Sequence, residues 1–90
     1  MEITFSGEAT EDLSIYCIWV SGTVDGKRVR NRVFYEALSD CFDGSEGEDE
    51  LTIFERNRET IEERWKEKLE AGDVNADDGV DLTVDDFDCR

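Results

Sequence analysis

The chain has no histidine, three cysteines and three lysines, and it contains none of the familiar catalytic motifs. Without histidine, it lacks the side chain that most often acts as a general base near neutral pH. Three scattered cysteines do not supply the four ligands of a structural zinc site. The sequence also contains no phosphate-binding loop, dinucleotide fingerprint or nucleophile elbow. We therefore expect no enzymatic activity, no cofactor and no metal site.

Long apolar segments are absent as well. No run of residues approaches the length that spans a bilayer. The first residues, MEITFSGEATED, lack the basic start and the apolar stretch of a signal peptide. We accordingly expect a cytoplasmic protein. Two Trp, two Tyr and five Phe can supply the small core of a single domain that comprises residues 1–90.

Negative charge is the dominant feature of the composition. The sequence holds 25 acidic and 10 basic residues, for a net charge of −15. Binding to nucleic acid or to an anionic membrane requires a positive surface, so we expect neither partner. The charge is unevenly distributed, because residues 1–34 hold five acids and four bases whereas residues 35–90 hold twenty and six.

Two acidic blocks contain no basic residue at all, residues 40–50 and residues 73–88. Concentrated charge of one sign can steer a partner of opposite charge. We therefore predict protein–protein binding to a basic partner surface, as in DNA mimics that inhibit nucleic-acid-binding proteins or defence nucleases. The predicted contact residues are all acidic and belong to these blocks: Asp43, Glu46, Glu48, Asp49, Asp77, Asp78, Asp81, Asp85 and Asp86.

The alternative is a bacterial or halophilic housekeeping domain in which the acidic residues serve solubility only. Adaptation to a salty cytosol should acidify the whole surface, and the near-neutral first third of the chain does not fit that pattern. Acidic loops are nevertheless often simply solvated. The oligomeric state is left open by the sequence.

Strand patterns dominate the first third. EITFS alternates, and LSIYCIWVSG is a continuous apolar run typical of a central strand. Asp25-Gly26 predicts a tight hairpin before KRVRNRVF, whose valines face one way and whose arginines face the other. On so acidic a protein, we expect this arginine ridge to pair with the chain's own carboxylates.

Helical patterns follow. YEALSDCF predicts a short helix, and DELTIFERNRETIEERWKEKLEAG predicts one long amphipathic helix capped by Asp49 and ended by Gly72. Trp65 belongs to its apolar stripe and is expected to pack on the sheet. The sequence thus predicts an α+β fold: a small antiparallel sheet of about four strands, with one long and one short helix packed on one face.

The segment DVNADDGVDLTVDDF partly resembles a calcium-binding loop, with oxygen donors at Asp73, Asn75 and Asp77. The sharp-turn glycine comes one residue late, and Val84 stands where the bidentate glutamate belongs. We therefore interpret the segment as a helix exit followed by a strand, GVDLTV.

Four short stretches, TVDGKRV, EALSDCF, FERNRETIEERW and DGVDLTVDDF, occur in an order that resembles one known family. It is the group of small bacterial proteins catalogued as domain of unknown function 1488. The resemblance extends over nearly the whole chain, although RNRVFY is more basic than the corresponding strand of the family. It implies the α+β fold described above and transfers no functional residue.

Overall fold

The computed structural model describes residues 1–42, 49–76 and 78–87. The described residues form a sheet with helices packed on one of its faces. The strands are β1 (Ile3–Phe5), β2 (Thr10–Asp12), β3 (Cys17–Val24), β4 (Lys27–Phe34) and β5 (Asp81–Leu82). The helices are α1 (Tyr35–Cys41), α2 (Glu50–Arg56) and α3 (Arg58–Ala71), and a 3₁₀ turn follows at Val84–Phe87.

The sheet is built around the hairpin of β3 and β4. Asp25 and Gly26 both have positive φ, 52° and 86°, which is the geometry of a tight two-residue turn matched to strand twist. Both β1 and β2 pair antiparallel with β3, on the edge that β4 leaves unpaired. The hairpin predicted from Asp25-Gly26 is therefore confirmed.

The predicted α+β class is confirmed, and the sheet differs from the prediction in detail. The described residues form five strands where about four were predicted, and β5 runs parallel to β4, so the sheet is not purely antiparallel. The extra strand is β2, whose polar sequence TED gives no strand pattern. The predicted strand GVDLTV pairs only at Asp81–Leu82 because Asp86 accepts a hydrogen bond from the Thr83 amide, 2.7 Å, and the chain turns.

The predicted long helix is two helices, which meet at Asn57. The backbone of Asn57 leaves the helical region, with φ −112° and ψ 16°, and its side-chain Nδ2 donates to the Ile53 carbonyl, 2.9 Å. The asparagine side chain thus competes with backbone N–H groups for a helical carbonyl, which is one reason why asparagine is a poor residue inside a helix. Both predicted helix ends are confirmed. Asp49 accepts from the Thr52 amide, 2.8 Å, and Gly72 ends α3 with φ 76°.

The core lies between the helices and the covered face of the sheet. Trp65 of α3 is fully buried, as predicted, and its ring contacts Phe5 and Phe54. Its indole Nε1 donates to the Arg32 carbonyl of β4, 3.0 Å, so the polar edge of the ring is also satisfied. Among the described residues, no helix combines the length and the apolar character needed to cross a membrane.

Candidate functional site

The predicted partner contacts divide into two groups in the structure. Asp43, Glu46, Glu48 and Asp77 lie outside the described residues. The remaining five are Asp49, Asp78, Asp81, Asp85 and Asp86. Four of these five carboxylates have partners within the fold, and the contacts of three of them stabilise it.

Asp49 and Asp78 act locally. Asp49 is the N-cap of α2, where its carboxylate satisfies an otherwise unpaired backbone donor. Asp78 has φ 60°, and its Oδ2 lies 2.7 Å from Nζ of Lys27, with both side chains more than half exposed. An ion pair so exposed is worth little energy and does not fix the orientation of the carboxylate. Asp78 therefore still presents charge at the surface.

Asp81 is held by two partners. Arg32 donates to its two oxygens from Nε and Nη2, at 2.7 and 2.8 Å, in the bidentate geometry preferred by guanidinium and carboxylate. Asn75 donates to Oδ1 from its side chain, 2.7 Å. Because Arg32 and Asp81 are also directly opposite each other in the β4–β5 pair, this contact fixes the register of the last strand.

Asp86 forms an ion pair with Lys68 of α3 and also accepts hydrogen bonds from Thr83. Burial raises the pKa of Asp86, but the hydrogen bonds from Lys68 and Thr83 outweigh burial and hold it below its usual value. The hydrogen bond to Asp86 raises the pKa of Lys68. Asp86 thus ties the end of the chain to α3. Of the five, only Asp85 is exposed without a partner among the described residues.

A candidate site that the sequence analysis missed lies at residues 13–16, here called the apolar knuckle. Leu13, Ile15 and Tyr16 are exposed by 65%, 42% and 64% of their surface. These residues form a turn instead of the predicted start of β3. Asp12 makes the turn, since its Oδ1 accepts from the Ser14 amide, 3.0 Å, and from the Ser14 hydroxyl, 2.5 Å.

Backbone strain accompanies this exposure. Tyr16 has φ 54°, in the left-handed region that bulky residues rarely adopt. Its carbonyl accepts from the Tyr35 amide, 2.9 Å, and the two tyrosine rings lie 6.1 Å apart. The Tyr35 hydroxyl donates to Glu11 of β2. Burial, and then this hydrogen bond, raises the pKa of Tyr35. The knuckle is therefore fixed to both β2 and α1.

Next to the knuckle is a cleft of about 330 Å³. It is lined by Ile15, Tyr16, Phe34, Glu36, Thr83 and Val84. Three acidic residues line it or adjoin its residues in sequence: Glu36 lies in the lining, Asp12 precedes the knuckle, and Asp85 follows the lining residue Val84. One signal in the sequence could have indicated this site: Asp12-Leu13-Ser14 is a turn pattern, although the apolar run that follows it favours a strand.

A second surface is the face of the sheet opposite the helices, here called the open face. Trp19, Ser21 and Thr23 of β3 lie there beside Arg28 and Arg30 of β4. The guanidinium of Arg30 stacks on the Trp19 ring, 4.3 Å from its centroid. The expectation that the arginine ridge pairs with the chain's own carboxylates holds for Arg32 and, within the described part of the chain, is wrong for Arg28 and Arg30.

The fold and these surfaces describe a small α+β domain with one sheet face covered by helices and one open. The chain belongs to the family described as Protein of unknown function (DUF1488), whose sequence profile matches residues 3–81. The family resemblance noted from the sequence is thereby confirmed.

A solved structure supports the same fold. The chain is similar to a protein of unknown function from the DUF1488 family of Shewanella loihica PV-4, with a TM-score of 0.75 and 20% identity. The similarity covers 91% of this chain and 94% of that one. No curated protein matches the chain.

Proposed function

We propose that this protein is a cytoplasmic, non-catalytic binding module that docks onto a basic protein surface. Its apolar knuckle and the adjoining cleft form the centre of the contact. The observation that carries the proposal is the exposure of Leu13, Ile15 and Tyr16 beside a cleft lined by acidic and apolar residues. Clustered exposed apolar side chains beside a groove are typical of protein interaction sites.

The strain at Tyr16 supports the same site. A tyrosine with φ 54° costs of order 1–3 kcal/mol in backbone energy, and such residues cluster at functional sites. The hydrogen bond from Tyr35 and the turn made by Asp12 hold the strained conformation in place. A rigid, exposed aromatic side chain is the kind of anchor that dominates binding energy at interfaces.

Charge determines which partner fits. Glu36 lines the cleft, Asp12 makes the turn of the knuckle, and Asp85 follows the lining residue Val84 in sequence, so a complementary surface would carry lysine or arginine around an apolar side chain or pocket. The net charge of −15 would accelerate the encounter with such a surface. Nucleic-acid-binding proteins and defence nucleases present basic surfaces of this kind, and a DNA-mimic inhibitor is the specific form of the proposal that we favour.

The predicted acidic contacts take different places in this proposal. Asp85 is exposed and directly follows the cleft residue Val84 in sequence. Asp78, earlier in the chain, presents a loosely held carboxylate. Asp49, Asp81 and Asp86 serve the fold first, so their substitution would perturb binding through structure. Asp43, Glu46, Glu48 and Asp77 remain predicted contacts.

The test is capture of partners from a bacterial lysate on immobilised protein at low and high salt. Leu13→Ser combined with Tyr16→Asn removes the apolar anchor, and asparagine tolerates the left-handed backbone of position 16. Val74→Ser is the matched control, because Val74 is an exposed apolar residue outside the knuckle. We expect a partner with a basic surface to be lost with the double variant and retained by the control.

The charged residues are tested separately. Glu36→Gln combined with Asp85→Asn should slow association and reduce its salt dependence, since peripheral charges act mainly on the encounter rate. A captured partner that binds the knuckle variant as tightly as the original protein would eliminate the proposal.

The second candidate is a housekeeping domain whose acidity serves solubility. It is favoured by one observation: Asp49, Asp81 and Asp86 each stabilise the fold, so local acid density in the sequence does not by itself indicate an interface. On this alternative no specific partner would be captured, and neither the knuckle nor the charge variants would alter any interaction.

A further inference from the structure

The open face of the sheet carries local positive charge on a strongly acidic protein. Arg28, Arg30 and Arg32 project from alternate positions of β4, and only Arg32 has a carboxylate partner among the described residues. Among the other basic residues that the structure describes, Lys27, Arg58, Arg64 and Lys68 form ion pairs with acidic residues, whereas Lys66 on α3 forms none with a described carboxylate. In a chain with 25 acidic residues, two neighbouring arginines on one face without a carboxylate among the described residues are therefore notable.

Arg30 is also held in place. Arg30 stacks on Trp19 at 4.3 Å, which restricts its guanidinium while leaving the hydrogen-bond donors at its edge available. Arg28 and Ser21 both line two adjacent depressions of about 370 Å³ each. One extends toward Trp19 and Arg30, and the other extends toward β1. Together these depressions form a shallow groove along the hairpin.

We propose that this groove is a second binding site, which accepts an extended acidic segment of a partner protein. The evidence for the occupant is charge complementarity and spacing. Arg28 and Arg30 are two residues apart on a strand, so their attachment points are separated by about 6.7 Å. Carboxylates at positions i and i+2 of an extended segment have the same separation and project from one side, so both can pair with the arginines at once.

An acidic protein segment fits the groove better than single-stranded nucleic acid. Nucleic acid binding depends on many phosphate contacts and on aromatic rings available for stacking. Among the described residues, the open face offers two arginines without a carboxylate partner and one tryptophan, on whose ring Arg30 is already stacked. The net charge of −15 would oppose a long polyanion far more than a segment with two carboxylates.

Two short capped peptides are suitable probes. One has two glutamates separated by a single serine, and the other has two adjacent glutamates, with the same composition and charge. Each is titrated into ¹⁵N-labelled protein in about 0.1 M salt, where the Debye length is about 10 Å and long-range repulsion is reduced. The two indole N–H signals report separately, because Trp19 lies on the open face and Trp65 is fully buried.

We expect the alternating peptide to shift the Trp19 signal at millimolar concentration and to leave the Trp65 signal in place, which also shows that the fold is intact. The peptide with adjacent glutamates should bind several-fold more weakly. Arg28→Gln or Arg30→Gln should each weaken binding roughly threefold, and both together about tenfold, which is the range of exposed ion pairs. Lys66→Gln removes one charge from an exposed position on α3 and should change nothing.

Several results would overturn the proposal: no Trp19 shift at millimolar peptide, equal binding of the two peptides, or an equal effect of Lys66→Gln. An oligomer of six thymidine nucleotides completes the set of probes. If it shifts the Trp19 signal at lower concentration than either peptide, the groove binds nucleic acid instead. These outcomes are independent of the knuckle, because Leu13→Ser with Tyr16→Asn leaves the groove residues unchanged.

Discussion

The two tryptophans of this protein occupy opposite faces of the same sheet, and their surroundings differ in every respect. Trp65 is fully buried against the covered face, with its ring among Phe5 and Phe54 and its N–H bonded to the Arg32 carbonyl. Trp19 lies on the open face, partly exposed, and the guanidinium of Arg30 stacks on its ring.

The difference shows how one pair of strands supplies both a core and a surface. Along β4, Val29, Asn31 and Val33 are buried, while Arg28 before them and Arg30 between them are exposed. Strict alternation keeps the charges off the covered face, as the pleat of a strand requires. Stability should therefore depend on the covered face, and binding should depend on the open face and the knuckle.

The largest expected effect tests this division directly. Trp65→Ala should lower the free energy of unfolding by about 3–5 kcal/mol, because it leaves a large cavity in the core. Trp19→Ala should cost less than about 1 kcal/mol, the value of an exposed cation–π contact. Urea denaturation followed by circular dichroism measures both, and comparable losses for the two variants would show that the faces are not distinct.

The second prediction concerns the close approach of Gly79, just before β5, to the backbone of β4. A Cβ at Gly79 would lie 1.7 Å from the Arg30 carbonyl oxygen, so Gly79→Ala must displace backbone. We expect a loss of about 1–3 kcal/mol or more, as for other overpacked sites. Gly7→Ala is the control, since a Cβ there meets nothing within 4 Å and should change stability little. A fully stable Gly79→Ala variant would contradict the close approach of residue 79 to β4.

The third prediction concerns the ion pair between Lys68 and Asp86. Asp86→Asn should lower the free energy of unfolding by about 1 kcal/mol at neutral pH. Both side chains of the pair are mostly buried, so we expect its contribution to lie at or slightly above the upper end of the range for surface ion pairs. Asp78→Asn is the matched control. Its pair with Lys27 is largely exposed and asparagine tolerates its positive φ, so its effect should be near zero.

The pH dependence of this contribution has a defined sign. The folded pKa of Asp86 is lowered, so its stabilisation is present above the unfolded pKa near 3.8 and is lost as the pH falls through the folded value. The folded pKa of Lys68 is raised, so its stabilisation is present below 10.5 and is lost as the pH rises through the folded value. Equal effects of Asp86→Asn at pH 7 and at pH 2 would contradict this account.

Much of the fold was predictable because its signals are local. Asp25-Gly26 specifies the hairpin, alternation specifies the two sides of β4, and Gly72 ends α3. The break at Asn57 was not predicted, because the apolar residues of the helical stripe continue on both sides of it. The hydrogen bond from the Asn57 side chain to the Ile53 carbonyl leaves no recognisable pattern in the sequence. The knuckle was not predicted because Leu13, Ile15 and Tyr16 have the composition of a buried strand.

The candidate site was harder to predict than the fold, since it depends on contacts between distant residues. Arg32 meets Asp81 and Lys68 meets Asp86 only after the chain has folded, so a count of acids cannot separate structural carboxylates from available ones. The same applies to Arg28 and Arg30. In sequence they look equivalent to Arg32, and only the position of β5 beside Arg32 distinguishes them.

The smallest expected effect separates ordinary charge repulsion from adaptation to high salt. Exposed Glu59, Glu63 and Glu70 lie on the outer side of α3, so the helix layer adds to the negative charge while the open face is locally positive. Repulsion among carboxylates is screened over about 10 Å at 0.1 M salt. The melting temperature should therefore rise modestly with KCl and level off well below 1 M.

Glu59→Gln with Glu63→Gln should raise the melting temperature in dilute buffer and reduce its gain with salt, whereas Arg28→Gln should do neither. A melting temperature that still climbs steeply between about 1 and 3 M KCl, where Coulomb screening is already complete, would instead indicate a salt-adapted protein. It would favour the solubility alternative over the binding module.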